Sequence, residues 1–333
     1  MSQAPSDTAH PVQQAVQRFF LLYGEQPALR ERIAVAFSGG LDSTVLLHAL
    51  HATGRPLQAL HVNHGLQAAA QAWPGHCANV CNAWNIPFEC LTVAVESTGL
   101  GLEADARQAR YACLQAWMSA HGLPVLATAH HRDDQIETVL LQLFRGSGVK
   151  GLAGMRAYGP MGVNRIQAQG LSLIRPLLDC TREELESYAV QHRLTWIEDP
   201  SNADPSIRRN WVRRDLLPAL RTHFPQVDHG VLQLARHIAE EVQAEAVAQQ
   251  ALVLTLCDAS LQLKLAPWRQ ETQATRLAFL KHWLEQGGVR CGREPLIELE
   301  RQLMATTHGG VRQVTSGWSV KVNRGLARVQ RAA

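Results

Sequence analysis

The sequence predicts an α/β protein: a parallel sheet with helices on both faces, followed by a smaller α-rich C-terminal domain. Three observations carry this. Short apolar runs alternate with helix-spaced stretches from residue 33 to about 180, the pattern of a parallel sheet covered on both sides. The residues suited to chemistry fall directly after the apolar runs, where open parallel sheets bind ligands. Beyond Leu220 the alternation stops and helical spacing takes over. With 333 residues there is length for two domains. The divisions fall as an N-terminal extension at 1–29, an α/β domain at 30–222, a connector helix at 223–250 and a small α-rich domain at 251–333.

In chain order, IAVAFSGGLDSTVLLHAL (33–50) opens the domain. Ile33 to Phe37 reads as a buried strand, Ser38 to Gly40 as a turn, and Val45, Leu46, Ala49 and Leu50 as one helix face. LQALHVNHGL supplies a second strand and 68–84 a helix; IPFECLTVAV is a third strand, followed by the helical EADARQARYACLQAWMSAHG. LPVLATAHH and DDQIETVLLQLF give a fourth strand and helix, and LSLIRPLL a fifth strand. Residues 226–250, rich in Ala, Gln and Glu, read as one long helix. LVLTLCDASLQLKL suggests two short strands, and PWRQETQATRLAFLKHWLEQGG and REPLIELERQLM two helices, the first closed by Gly287 and Gly288.

Composition narrows the class. Hydrophobic content of 46% and charged content of 18% describe an ordinary globular protein. There is no membrane-length apolar run, and the start lacks a basic stretch leading into an apolar one. Seven scattered cysteines, with no CxxC, read as reduced buried thiols and place the protein in the cytoplasm. A net charge of +3 does not argue for nucleic acid by itself; its distribution gives two clusters that could contact phosphates or form solvated helix faces. IRRNWVRRDLLPALR (207–221) is strongly basic, and arginines crowd 290–331.

The turn after the first strand is an anion site in outline. Gly39 and Gly40 permit positive φ and close backbone approach, and the helix that follows adds its unpaired N–H groups. A Walker loop would need a lysine, which is missing, and GxGxxG is absent. Asp42 instead sets a carboxylate beside the cradle, which a phosphate tolerates only across a cation, so Mg²⁺ between Asp42 and a polyphosphate is inferred. A bare SGG would be read as a turn with capping side chains. The full SGGLDS between strand and helix resembles the pyrophosphatase-loop (PP-loop) ATP enzymes, with an adenine nucleotide alpha hydrolase-like fold. That resemblance implies ATP cleavage to AMP and pyrophosphate.

TAHHRDDQIETVLLQLFRGSGVKGLAGM (128–155) is the most specific stretch. Asp133 and Asp134 open a helix and Glu137 lies one turn on, gathering carboxylates on one face. Acids in a first turn also complement the helix dipole, but His130 and His131 precede them at a strand's carboxyl end. Such a cluster suits Mg²⁺ or an ammonium group. Zinc on His61, His64, His130 and His131 lacks ordinary ligand spacing. Arg145, in RGSG, closes the helix within reach of phosphate.

Here the likeness sharpens to a family. AHHRDDQIETVLLQLFRGSGVKGLAGM, EADARQARY, HVNHGL, RPLL and WIEDPSNADPSIRRNWVRRDLLPAL are similar to the tRNA(Ile)-lysidine synthetases, densely over 30–225 and weakly over 265–305. The resemblance implies ATP and Mg²⁺ as cofactors, with free L-lysine and a tRNA(Ile) bearing a CAU anticodon as partners. In that reaction the wobble cytidine is adenylated through its position-2 oxygen, and lysine then displaces AMP through its ε-amine. ATP would lie on Ser38, Gly39, Gly40, Leu41, Asp42 and Ser43, with Arg107 and Arg110, and Asp42 would hold the metal. Asp134 and Glu137 match the lysine-binding acids. Asp42, His130, Asp134 and Glu137 form the catalytic set, one of these carboxylates or His130 taking the amine's proton. Arg145, Arg208, Arg209, Arg213 and Arg214 would meet tRNA phosphates. A homodimer is one option for assembly, and a membrane is not a partner. Longer family members carry a further C-terminal domain; here the tail after Met304 is expected to form only a hairpin. The competing readings are a tRNA thiolase, which would need catalytic cysteines, an amidating enzyme, which would need an ammonia source, and a nucleotide-binding module without catalysis.

Overall fold

The computed structural model describes residues 9–63, 72–94, 102–161, 170–198, 208–306, 309–315 and 317–331. Two compact units make up the chain, 1–236 and 237–333.

In the first unit α1 (Pro11–Tyr23) precedes the sheet. Proline stands in its first turn and the His10 ring accepts from the Val12 N–H at 3.2 Å. Val12, Ala15, Val16 and Phe19, three and four apart, are buried by this helix. Strand β1 (Ile33–Ala36) leads through the glycine turn into α2 (Leu41–His51), then β2 (Leu57–Asn63), α3 (Trp73–Ala83), β3 (Phe88–Thr92) and α4 (Leu102–Ala120). Next come β4 (Val125–Ala127), α5 (Arg132–Phe144), a single turn α6 (Val149–Leu152), and β5 (Tyr158–Pro160) with β6 (Ser172–Ile174). The sheet order is β3-β2-β1-β4-β6-β5, with β5 antiparallel on β6 and every other pair parallel. The expected five parallel strands are present; β5 is an addition, a three-residue edge too short for its pattern to be read.

Alternation along β1 shows why both faces are covered. Ile33, Val35 and Phe37 enter a core with α1, α2, the cysteines of α3 and Leu185, Tyr188 and Ala189 of α7 (Arg182–Gln191). Ala34 joins Leu60, Leu126 and Leu173 against Leu114 and Met118 of α4. Each such side chain contributes about 1.5–3 kcal/mol when fully buried. Then follow α8 (Arg208–Trp211), a π-helical turn at Val212–Leu216 and α9 (Leu217–His223); Val212 and Leu217 pack on Ile136 and Leu140 of α5.

Helix α10 (Val227–Leu256) runs past the expected end at 250. LVLTL is therefore helix, not strand: Val253 and Leu256, three apart, lie on its buried face. In the second unit β7 (Leu263–Lys264), α11 (Leu265–Gln270), α12 (Gln273–Gln286) and α13 (Arg293–Ala305) lead to β8 (Gly310–Thr315), β9 (Trp318–Asn323) and β10 (Leu326–Arg331). The tail is more than a hairpin. Its three strands join β7 in a four-stranded antiparallel sheet, β7-β10-β9-β8, so this unit is α+β rather than simply α-rich. Arg324 and Gly325 both have positive φ, as the tight turn between β9 and β10 requires. Trp268, Phe279 and Leu280 fill the core between sheet and helices.

Candidate active site

The carboxyl ends of β1, β4 and β6 gather the chemistry. After β1, Gly39 takes φ +83, and a Cβ there would come within 2.9 Å of Cys77 Sγ. Only glycine fits. Gly40 has φ −75, so its value lies in its small size beside a ligand and not in left-handed geometry. Ser43 Oγ braces the turn, accepting from the Ser38 N–H at 3.2 Å and donating to the Gly40 carbonyl at 3.1 Å. The Ile197 N–H, from the WIEDP segment, donates to the Gly39 carbonyl at 2.9 Å. No side chain caps α2, which leaves its first-turn N–H groups for an anion. Leu41 is buried in the core, and only its backbone belongs to this turn.

Asp42 in that turn is 31% exposed and takes Arg182 Nη1 at 3.2 Å from its Oδ1. Burial raises its pKa against the pull of His131 and Arg182. The guanidinium thus stands where the inferred cation would stand. A carboxylate at the lip of an uncapped helix turn, neutralised by a mobile-length side chain, is a donor set that suits Mg²⁺. Asp42 is the residue that would hold it.

After β4, His130 and His131 part company. The ring of His130 has Nδ1 2.9 Å from Thr128 Oγ1 and accepts there from Arg175 Nε at 3.3 Å. Burial and the Arg175 charge pull its pKa well down. His131, 1% exposed, lies among three acids: Nδ1 is 3.5 Å from Asp133 Oδ2, and Nε2 is 3.5 Å from Asp134 Oδ2 and 3.8 Å from Asp42 Oδ2. Neither ring nitrogen reaches hydrogen-bond geometry. Burial opposes its charge, but the surrounding carboxylates outweigh burial and raise the pKa.

Asp134 and Glu137 stand on one face of α5, as their spacing requires. They are not bare. Arg209 Nε donates to Glu137 Oε2 at 2.6 Å and Arg213 Nε to Glu137 Oε1 at 2.6 Å; both guanidiniums also reach Asp134 Oδ1, at 3.2 and 3.1 Å. Glu137 is fully buried. Burial pushes the Asp134 pKa up, but the charges of His131 and Arg209 more than reverse it and leave it lowered. Arg209 and Arg213, read from sequence as phosphate contacts, are thus counter-ions of the acids. Their own i, i+4 spacing matches the i, i+3 spacing of the pair, and the π turn at 212–216 lies over the contact. Asp133 accepts from Arg221 at 2.8 Å, which also grips Asp228 at 2.7 Å, while the His131 ring 3.5 Å away attracts it without a hydrogen bond.

The remaining expected residues lie outside this knot. Arg107 and Arg110 are exposed on α4; the Arg107 guanidinium sits 5.1 Å from the centre of the Tyr111 ring. Arg145, the C-terminal cap of α5, is exposed, as are Arg208 and Arg214. His61 is buried with Nδ1 2.9 Å from the Phe37 carbonyl. His64 lies outside the described residues. Among the described residues no three His, Cys, Asp or Glu are arranged to hold a metal by themselves. Sequence reading missed Arg182, Arg175 and Arg221, and placed His131 beside the acids without giving it a role. The signals were present: Arg182 opens α7 inside the Thr181–Glu184 capping box, and Arg175 opens RPLL.

The fold and site define a class: a parallel α/β domain whose glycine turn cradles an anion beside a charge-paired cluster of acids. A PP-loop domain model matches residues 9–220. Curated tRNA(Ile)-lysidine synthases are similar to this chain: that of Pseudomonas putida at 38% identity, covering 85% of this chain and 71% of its own length, and that of Pseudomonas aeruginosa at 44%, covering 76% and 58%. The Escherichia coli O157:H7 protein of the same name is 40% identical over 85% of this chain and 65% of its own. The chain spans about three fifths of the length of most of these relatives. It belongs to the tRNA(Ile)-lysidine synthase family of PP-loop proteins. A solved U34-tRNA thiolase from Methanococcus maripaludis shares the fold, with a TM-score of 0.55 at 17% identity, over 69% of this chain and 78% of that one.

Proposed function

We propose that this protein joins free L-lysine to carbon 2 of the wobble cytidine in the CAU anticodon of tRNA(Ile), with ATP converted to AMP and pyrophosphate. The observation that carries the reading is the meeting, at one sheet edge, of the glycine turn with Asp42 and the Asp134–Glu137 pair. The curated names of its relatives point the same way. The turn and the first N–H groups of α2 hold the polyphosphate, Asp42 facing it. Mg²⁺ at Asp42 would neutralise charge on the departing pyrophosphate. Asp134 and Glu137 receive the lysine ammonium. At rest two acids face two guanidiniums, so no net negative charge awaits an ammonium. Incoming tRNA phosphates compete for Arg209 and Arg213 and release the acids. The proton acceptor is a carboxylate of this pair, because His130 Nδ1 is already engaged by Arg175.

Exposed Arg145, Arg208 and Arg214 supply phosphate contacts. So does the solvent face of the second unit, where Lys321 and Arg328 stand directly opposite each other across the β-ladder, an arrangement a polyanion relieves. All seven cysteines are unpaired, which supports a reducing cytoplasmic setting. No described helix is long and apolar enough to cross a membrane. A thiolase chemistry is not favoured: burial holds the Cys77, Cys81 and Cys180 thiols up at about 12, far from a reactive thiolate. Incubation with tRNA, ATP and labelled lysine, followed by nucleoside analysis, tests the assignment. Label appearing as lysidine in tRNA(Ile) and not in tRNA(Met) supports it; pyrophosphate release without lysine incorporation refutes it.

A further inference from the structure

The arginines over the sheet are not all matched. Arg182, Arg209, Arg213 and Arg221 each have a carboxylate within 3.2 Å. Arg175 has none among the described residues. It follows β6 directly, donates through Nε to His130 Nδ1 at 3.3 Å and through Nη1 to the Arg156 carbonyl at 2.8 Å, and its Nη2 is left without a described acceptor. Burial works against the Arg175 cation; Tyr111 offsets part of that, and the Arg107 guanidinium adds a like charge. Arg107 and Arg156 are themselves exposed, so the group opens to solvent. A partly desolvated guanidinium with a like charge beside it and no counter-ion is costly unless an anion arrives to complete it.

We propose that Arg175, with the charge of Arg107 at its rim, binds the α-carboxylate of the incoming lysine. This rests on the reaction proposed above. The position favours that anion over a phosphate. Strands β1 and β6 flank β4, so the glycine turn and Arg175 are two strand spacings apart, ~10 Å. The acids for the ammonium belong to α5, which follows the strand between them. An extended lysine sets its ammonium and carboxylate on the order of 7–8 Å apart, from about six bonds of ~1.5 Å at tetrahedral angles. With the ammonium at Asp134 and Glu137, the carboxylate falls one strand over, toward β6. A guanidinium fork suits a planar carboxylate. His130, whose ring takes the Arg175 Nε–H on one side and feels the Asp134 charge on the other, is then a positioning residue.

The test uses the full chain with tRNA(Ile) transcript and ATP, comparing lysine with cadaverine, which lacks the carboxylate. The wild-type protein is expected to prefer lysine by roughly tenfold or more in kcat/KM, the worth of one charge-assisted contact. In Arg175→Gln the KM for lysine should rise by about that factor with a smaller change in kcat, and the lysine-to-cadaverine ratio should fall towards one; Arg175→Lys should lie between. An unchanged ratio in Arg175→Gln overturns this site alone. A raised KM for ATP or tRNA with the ratio kept assigns the guanidinium to a phosphate and also overturns it. Should Arg175→Gln fail to fold, the wild-type ratio still decides, since equal use of lysine and cadaverine is incompatible with a carboxylate site. No lysine incorporation at all by the wild type overturns the reaction and this site with it.

Discussion

Replacing Glu137 by Gln separates the counter-ion contacts this carboxylate makes in the structure from the ammonium-binding role proposed for it. Glu137 is fully buried and accepts from two guanidiniums at 2.6 Å. Removing its charge leaves Arg209 and Arg213, 24% and 38% exposed, with only Asp134 between them. Breaking a buried pair costs about 3–5 kcal/mol, and the partial exposure of both arginines reduces this to roughly 2–3 kcal/mol. For a domain of this size that is a fall in Tm on the order of 5–10 °C. Separately, losing a charge-assisted contact to the lysine ammonium, worth ~1.5–3 kcal/mol, should raise the KM for lysine roughly tenfold or more. The double variant Glu137→Gln/Arg213→Gln distinguishes the two. Removing one guanidinium relieves the charge imbalance, so more than half of the lost Tm should return while the lysine KM stays high. Thermal unfolding and steady-state lysine incorporation measure these side by side. If the double variant recovers the wild-type lysine KM along with its stability, Glu137 is only a counter-ion and the ammonium binds elsewhere.

Other perturbations probe the neighbouring parts. Asp42→Ala should abolish tRNA-dependent pyrophosphate release while circular dichroism stays native; undiminished release would refute a metal at Asp42. Gly39→Ala forces an L residue to φ +83, costing about 1–2 kcal/mol, and sets its Cβ against Cys77 Sγ. Urea unfolding should show part of that loss restored by adding Cys77→Ala, and no restoration would mean the sulfur contact is not the obstacle. His48 has its pKa lowered from 6.5 to about 4 by burial and by His192, its Nδ1 being 2.9 Å from the Tyr188 hydroxyl. Its folded-state value lies below its unfolded one, so its contribution is complete above pH 6.5 and is lost as pH falls towards 4. Up to ~3 kcal/mol follows from that gap, less for its partial exposure. His48→Gln should therefore flatten the stability curve between pH 6.5 and 4, and an unchanged slope would place the titration elsewhere.

What could be read in the sequence was local. The strand, glycine turn and helix at 33–50 lie within one short span, and the demand for glycine at 39 is a backbone property of that span. The carboxylate face of α5 follows from helical spacing alone. The partners of these groups were hidden because they come from far along the chain: Arg182 lies 140 residues from Asp42, Arg221 88 from Asp133, and Arg175 45 from His130. Arg209 and Arg213 looked like an outward basic run because nothing in IRRNWVRRD says which arginines turn inward. Arg208 and Arg214 remain exposed on either side of them. LVLTL misled for a different reason: a five-residue apolar run is equally compatible with strand and helix until its neighbours decide.

The four acids Asp42, Asp133, Asp134 and Glu137 meet four arginines, with the His131 ring set among three of the acids. Such a site works as an ion exchanger. A cation entering it must evict a guanidinium, and an anion drawing that guanidinium away must leave a carboxylate to be filled. Binding free energy is then the difference between two ion pairs, small even when each is strong. On the reaction proposed above, each substrate would be held loosely in isolation and tightly only when opposite charges arrive together.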